Sequence, residues 1–222
     1  MKRWRRLYYD IFSSFYDRII ALHSRDRSLS LRKYLLDKSG IAEGQRLLDL
    51  CTGTGAVAIA AGRMLNGRGM VVGADFSTGM LKRAKNKALQ NSIKVDFVLC
   101  DTAHLPFVSG QFHVVTCSHA MYELDPATRS GTLSEARRVL VPGGRFLMME
   151  HMEPRTPFIR FLYRLRLASM GSAENKDFAR DERPFLAHFF QDVKLELVPG
   201  GKSKIVSGRK PHDANDSRLT HS

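Results

Sequence analysis

A short apolar run that ends in two glycines and opens a helix constrains this chain more than any other feature. It reads Leu47-Leu48-Asp49-Leu50-Cys51-Thr52-Gly53-Thr54-Gly55-Ala56. A buried strand there feeds a tight turn, where Gly53 and Gly55 let the backbone bend sharply and let a ligand approach with no Cβ in the way. The rhythm then repeats. Segments 70–74, 95–100, 113–117 and 145–150 read as further buried strands after the first at 46–50. Segments 56–65, 79–90 and 126–140 between them read as helices, the last stopped by Pro142-Gly143-Gly144. Strands alternating with helices of this length predict a parallel sheet covered on both faces, and the right-handed crossover rule makes it doubly wound.

Two more strand-like segments, 193–197 and 204–207, are joined through Pro199-Gly200-Gly201. So short a join permits only an antiparallel hairpin. The expected architecture is α/β: a Rossmann-like, doubly wound, seven-stranded sheet, mostly parallel, with a C-terminal antiparallel hairpin. At 222 residues the chain is long enough for one substantial core and too short for two. The expected organisation is a single domain over 1–210: a helical cap (1–40), a core (41–150), an insert (151–190) and the hairpin (191–210), followed by a polar tail (211–222). In the cap, Trp4, Tyr8, Ile11, Phe15, Ile19 and Leu22 share one face of a helix over 4–22, and a second helix covers 28–38. The insert holds one amphipathic helix, 158–170.

Asp75 follows the second strand, 22 residues beyond Gly53. An acid there accepts hydrogen bonds from the ribose hydroxyls of an adenosine. Gly53-x-Gly55-x-x-Ala58 followed by Asp75 also fits an NAD site, so an NAD-dependent oxidoreductase is the competing reading. Asp49 argues against it. A carboxylate at the mouth of the loop repels a pyrophosphate, whereas it favours S-adenosylmethionine, which carries a sulfonium and an ammonium and no phosphate. Asp101, after the third strand, is placed to reach an adenine amino group.

Four ordered blocks carry a family resemblance: Leu48-Asp49-Leu50-Cys51-Thr52-Gly53-Thr54-Gly55, Val72-Gly73-Ala74-Asp75-Phe76-Ser77-Thr78-Gly79-Met80-Leu81, Asp101-Thr102-Ala103-His104-Leu105-Pro106-Phe107, and Glu135-Ala136-Arg137-Arg138-Val139-Leu140-Val141-Pro142-Gly143-Gly144-Arg145-Phe146. Together they resemble class I S-adenosylmethionine-dependent methyltransferases, most closely the ubiquinone and menaquinone biosynthesis C-methyltransferases. The resemblance implies S-adenosylmethionine as cofactor, with Asp49, Gly53 and Gly55 along the methionine moiety, Cys51 among the cofactor-binding residues and Asp75 on the ribose. It places Phe76 or Met80 beside the adenine, and Asp101 and Thr102 at its edge. Tyr9-Asp10-Ile11-Phe12-Ser13-Ser14-Phe15-Tyr16-Asp17 is similar to the opening helix of the quinone enzymes, which implies Tyr16 near the methyl group.

Methyl transfer from a sulfonium is an in-line displacement with a good leaving group, so alignment and exclusion of water dominate. A general base is needed only where the acceptor must lose a proton. Ligands bind at the carboxyl ends of such strands, which makes His119, Tyr122, Glu123 and His151 the candidates, with His119, His151 and Tyr16 as the catalytic set. The chain departs from the quinone enzymes after the fourth strand, where Ser118-His119-Ala120-Met121-Tyr122-Glu123-Leu124 stands in place of a Gly-Leu-Arg-Asn segment. No metal site is expected.

The net charge of +13 speaks to partners. Ten Lys or Arg against four Asp fall within 1–38, and four Arg against one Glu within 151–170. Two basic, aromatic helices suit contact with anionic lipid and a small or lipid-soluble acceptor, quinol-like or a phospholipid amine. RNA or protein methylation is the alternative within the same fold, although nucleic acid ranks lower because no RNA-binding appendage is visible. A non-catalytic cofactor-binding partner protein is the last reading. Cys51, Cys100 and Cys117 lack CxxC spacing, which predicts reduced, buried thiols in a cytoplasmic protein, peripheral at the inner membrane face if the helices bind lipid. The basic N-terminus is not read as a signal peptide, because Asp10, Asp17 and Arg18 break the apolar run behind it. No signal for an oligomeric state is present.

Overall fold

The computed structural model describes residues 30–152, 181–200 and 203–212. The expected helices over 4–22 and 158–170, and Tyr16 with them, lie outside the described residues.

Helix α1 (Ser30–Ser39) precedes β1 (Arg46–Leu50), α2 (Ala56–Leu65), β2 (Met70–Asp75), α3 (Thr78–Gln90), β3 (Asp96–Leu99) and β4 (Phe112–Ser118). A 3₁₀ turn (Met121–Glu123), α4 (Pro126–Val139), β5 (Leu140–His151), a one-turn helix α5 (Arg183–Leu186), β6 (Gln191–Leu197) and β7 (Ser203–Arg209) complete the order. The seven strands form one sheet in the order β3-β2-β1-β4-β5-β7-β6. β1 to β5 pair in parallel, while β7 runs antiparallel to both β5 and β6. The doubly wound sheet and the C-terminal hairpin expected from the sequence are both present. The reversal between β1 and β4 is a topological switch point, where sheets of this kind bind ligands outside their carboxyl ends.

Local chemistry fixes the element ends. Ser77 caps α3 by accepting the Met80 N–H, and Asp125 caps α4 by accepting the Thr128 N–H with Pro126 behind it. Asn66 ends α2 in the left-handed conformation. Strand alternation sorts the core into two layers. Leu48, Leu50, Val115, Cys117, Phe146, Met148 and Val206 face one side, against α4 and α5. Leu47, Val114, Leu147, Met149 and Ile205 face the other, against α1 and α2. Leu47, Leu48 and Leu50 have no exposure, and each such burial contributes about 1.5–3 kcal/mol.

One boundary differs from expectation. β5 begins at Leu140, and Pro142-Gly143-Gly144 lies inside it. The glycine pair does not end pairing, because Lys210, just past β7, captures it: the Gly143 N–H donates to the Lys210 carbonyl (3.0 Å), and the Lys210 N–H donates to the Gly144 carbonyl (2.8 Å). The extra residues leave the β4–β5 ladder as an irregularity between Phe112 and Val114.

Candidate active site

The side chains at the carboxyl edge of the sheet, on the α1/α2 face, are polar. Asp75 ends β2, Asp49 stands near the end of β1, Thr116 and Ser118 near the end of β4, and His151 ends β5. Burying such groups is costly unless each finds a partner, so their pairing shows what the edge is built to do.

Asp49 is 1% exposed, and two hydroxyls hold it: Thr52 Oγ1 donates to Oδ2 (2.6 Å) and Thr116 Oγ1 to Oδ1 (2.8 Å). Burial pushes its carboxyl up to about 6, against the two hydroxyl donors that lower it, and nearby Asp75 adds to the rise. At neutral pH it is an anion awaiting a cation. Asp75 spans the glycine turn and the next helix. Its Oδ2 accepts the Gly53 N–H (2.8 Å) and its Oδ1 the Ser77 N–H (2.9 Å). The cap of α3 is therefore Ser77, and Asp75 ties two loops together.

The turn itself is left-handed at Cys51, Gly53 and Gly55. A Cβ on Gly53 would meet nothing within 4 Å, so the turn fronts open space there. A Cβ on Gly55 would crowd Ala84, Phe97 and Ile59, so Gly55 serves the packing of α2 on α3. The partly buried Cys51 side chain packs toward the α4/α5 layer with Cys117. Burial raises the Cys100 thiol to about 11, and a hydrogen bond with Cys51 together with burial raises the Cys117 thiol well above its usual value, so neither is a thiolate nucleophile at neutral pH.

Phe76 is half-buried just after β2, and Met80 is buried in the first turn of α3. Asp101 is half-buried and accepts the Ala103 N–H (3.1 Å). The buried Thr102 hydroxyl shares a hydrogen bond with the Thr132 hydroxyl of α4 (2.9 Å).

Beyond β4 the structure brings His119 and His151 together. Their rings stack with centroids 3.9 Å apart and planes tilted by 32°. His119 is held in the left-handed region (φ +55°), its N–H donating to the Met149 carbonyl (2.7 Å). For a non-glycine residue this conformation costs of order 1–3 kcal/mol, and such strain gathers at functional sites. Ser118 Oγ meets His119 Nδ1 (3.0 Å), while the buried Nε2 has no hydrogen-bond partner among the described residues. Burial lowers the His119 pKa well below the usual histidine value, and His151 and Arg32 of α1 add to the effect. The ring is therefore neutral at pH 7.

Tyr122 turns to the opposite layer. It is buried, and its hydroxyl donates to Glu182, which also pairs with Lys204 (2.7 Å). Glu150 accepts the Met121 N–H (2.8 Å), and Arg129 donates to the carbonyls of Met121 (3.0 Å) and Leu124 (2.8 Å). These buried polar groups pin the 3₁₀ turn that follows His119. Glu123 is half-buried in that turn. The sequence reading passed over Thr116, Glu150 and Glu182. A polar residue inside an apolar strand and an acid ending one were the available signals for the first two.

A model of the ubiE/COQ5 methyltransferase family matches residues 3–186. A ubiquinone/menaquinone biosynthesis C-methyltransferase from Desulfotalea psychrophila is 32% identical over 167 residues, covering 73% of this chain and 66% of that protein. A demethylmenaquinone methyltransferase from Staphylococcus saprophyticus is 29% identical, covering 91% of this chain and 95% of its own length. The fold recurs in a SAM-dependent methyltransferase from Aquifex aeolicus, with a TM-score of 0.59, 16% identity, and coverage of 81% of this chain and 89% of that one. These matches decide against the dinucleotide reading of the glycine turn. The turn suits the cofactor, because Gly53 leaves room and the buried Asp49 anion asks for a cation. The chain belongs to the ubiE/COQ5 methyltransferase family of S-adenosylmethionine-dependent enzymes.

Proposed function

We propose that this protein methylates a ring carbon of a quinol-like, lipid-soluble acceptor, the class of compound named for its relatives. The observation that carries the reading is the neutral His119, stacked on His151 at the end of β4, with Nε2 unpartnered. When bound, S-adenosylmethionine supplies an electrophilic methyl group on a sulfonium. Asp49 offsets the cofactor's positive charge, Asp75 and the Gly53 turn hold its sugar, and Asp101 meets the adenine. A phenol ring is a poor carbon nucleophile until its hydroxyl gives up a proton. His119 in the tautomer with Nδ1–H donated to Ser118 Oγ presents an Nε2 lone pair that takes it.

The basic, aromatic segments 1–38 and 151–170 support docking on an anionic membrane, where such an acceptor resides. No helix among the described residues is long and apolar enough to cross a membrane. The test is transfer of radiolabelled methyl from S-adenosylmethionine to a reduced naphthoquinol in phospholipid vesicles, with bulk RNA, a protein lysate and phosphatidylethanolamine as parallel acceptors. Label in the quinol ring supports the reading. Label only in RNA, protein or the lipid amine, or in nothing, overturns it.

A further inference from the structure

The row of polar side chains along the carboxyl edge does not stop at His151. β5 and β7 pair antiparallel with His151 opposite Ser203, so the two side chains stand on the same face with Cβ atoms roughly 4.5–5.5 Å apart. On its other side His151 stacks on His119. The sequence across β4, β5 and β7 is therefore His119, His151, Ser203, all on the α1/α2 face.

Ser203 is 1% exposed, and its hydroxyl has no hydrogen-bond partner among the described residues. It shares this property with His119 Nε2. The next residue, Lys204, points to the opposite layer, where it pairs with Glu182, so that ion pair does not serve Ser203. An unpaired buried hydroxyl costs stability, and alanine at the same place would not. Two such atoms flanking one histidine, at the edge where these sheets bind ligands, have the form of a site for a ring that carries an oxygen at each end. His119 and His151 are only half-buried as residues, which leaves this row a way to solvent.

We propose that Ser203 is a specificity-determining contact for the acceptor, its hydroxyl hydrogen-bonding a second ring oxygen while His119 faces the first. This rests on the quinol-like acceptor proposed above, whose ring already bears two oxygens, and assigns a residue to the second of them. A site that hydrogen-bonds a substrate hydroxyl discriminates against the analogue that lacks it.

The test compares 1,4-dihydroxynaphthalene, kept reduced under argon, with 1-naphthol, using the full chain and Ser203→Ala. Binding is measured without cofactor by fluorescence quenching, and methyl transfer separately with radiolabelled S-adenosylmethionine. The wild type is expected to bind the diol about tenfold tighter than the mono-ol. Ser203→Ala is expected to lose that preference by weakening on the diol alone, and to melt about 2 °C or more above the wild type, because an unpaired buried hydroxyl has been removed. A Ser203→Ala protein that keeps the wild-type preference, or that melts below the wild type, overturns the assignment. Failure of the wild type to transfer label to either ring overturns the acceptor reading itself, whereas transfer with an unchanged preference in Ser203→Ala overturns only the role of Ser203.

Discussion

The rings of His119 and His151 stack with centroids 3.9 Å apart, and the His119 Nε2 beside this contact is buried without a partner among the described residues. Two imidazolium cations do not share such a space, and His119, whose pKa is lowered by burial and by His151, is the neutral member. A neutral base needs no deprotonation before it acts. The kcat of the wild type is therefore expected to hold level from pH 8 down to pH 6. A fall to half near pH 6.5 would mark an ordinary histidine and contradict the assignment. His119→Asn is expected to lower kcat by about 10²–10⁴-fold, with cofactor affinity changed less than threefold, measured by single-turnover kinetics and isothermal titration.

Asp75 joins the Gly53 turn to the cap of α3 through two backbone N–H donors. Asp75→Ala strands both donors as well as removing the acid proposed to hold the cofactor sugar. The variant is expected to bind S-adenosylmethionine at least 100-fold more weakly and to melt a few degrees lower, since each stranded N–H costs about 1–3 kcal/mol. Calorimetric titration with S-adenosylhomocysteine checks the first and differential scanning calorimetry the second. Unchanged affinity would take Asp75 out of the site.

Glu150 is 3% exposed, and burial lifts its carboxyl to about 8, with Glu123 adding to the rise and the Met121 N–H and Arg129 opposing it. A raised carboxyl pKa means that the folded state holds its proton longer than the unfolded chain does. Its contribution to stability is complete below about pH 4.5 and is lost as pH rises toward 8. Glu150→Gln cannot ionise and keeps an oxygen for the Met121 N–H. Urea unfolding at several pH values is expected to show the variant gaining on the wild type between pH 5 and pH 8, by on the order of 4 kcal/mol in total. Parallel curves would show that Glu150 is ionised throughout.

Asp49 gives the opposite reading on ligand affinity. Its carboxyl titrates near 6, and only the ionised form attracts a cation. Affinity for S-adenosylmethionine is expected to rise as pH increases from 5 to 7, and Asp49→Asn to flatten that rise. An equal pH dependence in the variant would assign it to another group.

The basic segments 1–38 and 151–170 lead to a salt-dependent prediction. Flotation with vesicles containing anionic phosphatidylglycerol is expected to carry the protein at low salt and to release it as ionic strength rises past physiological. Equal flotation with neutral phosphatidylcholine vesicles would rule out the electrostatic part.

The order of strands was legible because turn residues punctuate it. Asn66-Gly67, Ser77 and Asp125-Pro126 each carry chemistry that starts or stops an element within one residue of where the sequence puts it. The start of β5 was not, since Pro142-Gly143-Gly144 breaks a strand on its own, and only the distant Lys210 keeps it in the ladder. At the site, Asp49 and Asp75 stood out by their spacing from the glycines, whereas the Thr116 hydroxyl that occupies Asp49 sits 67 residues away in sequence and depends on register. Ser203 carries no local signal at all. Its place beside His151 exists only through the antiparallel pairing of β5 with β7.

The most direct measurement is single-turnover transfer of labelled methyl from S-adenosylmethionine to a reduced naphthoquinol in vesicles, by the wild type and by His119→Asn. Label on a ring carbon is expected with the wild type, and a drop of at least a hundredfold in rate with His119→Asn while cofactor binding is retained. Ring methylation at equal rates by both proteins would contradict the role given to His119, and no ring methylation by the wild type would contradict the proposed function.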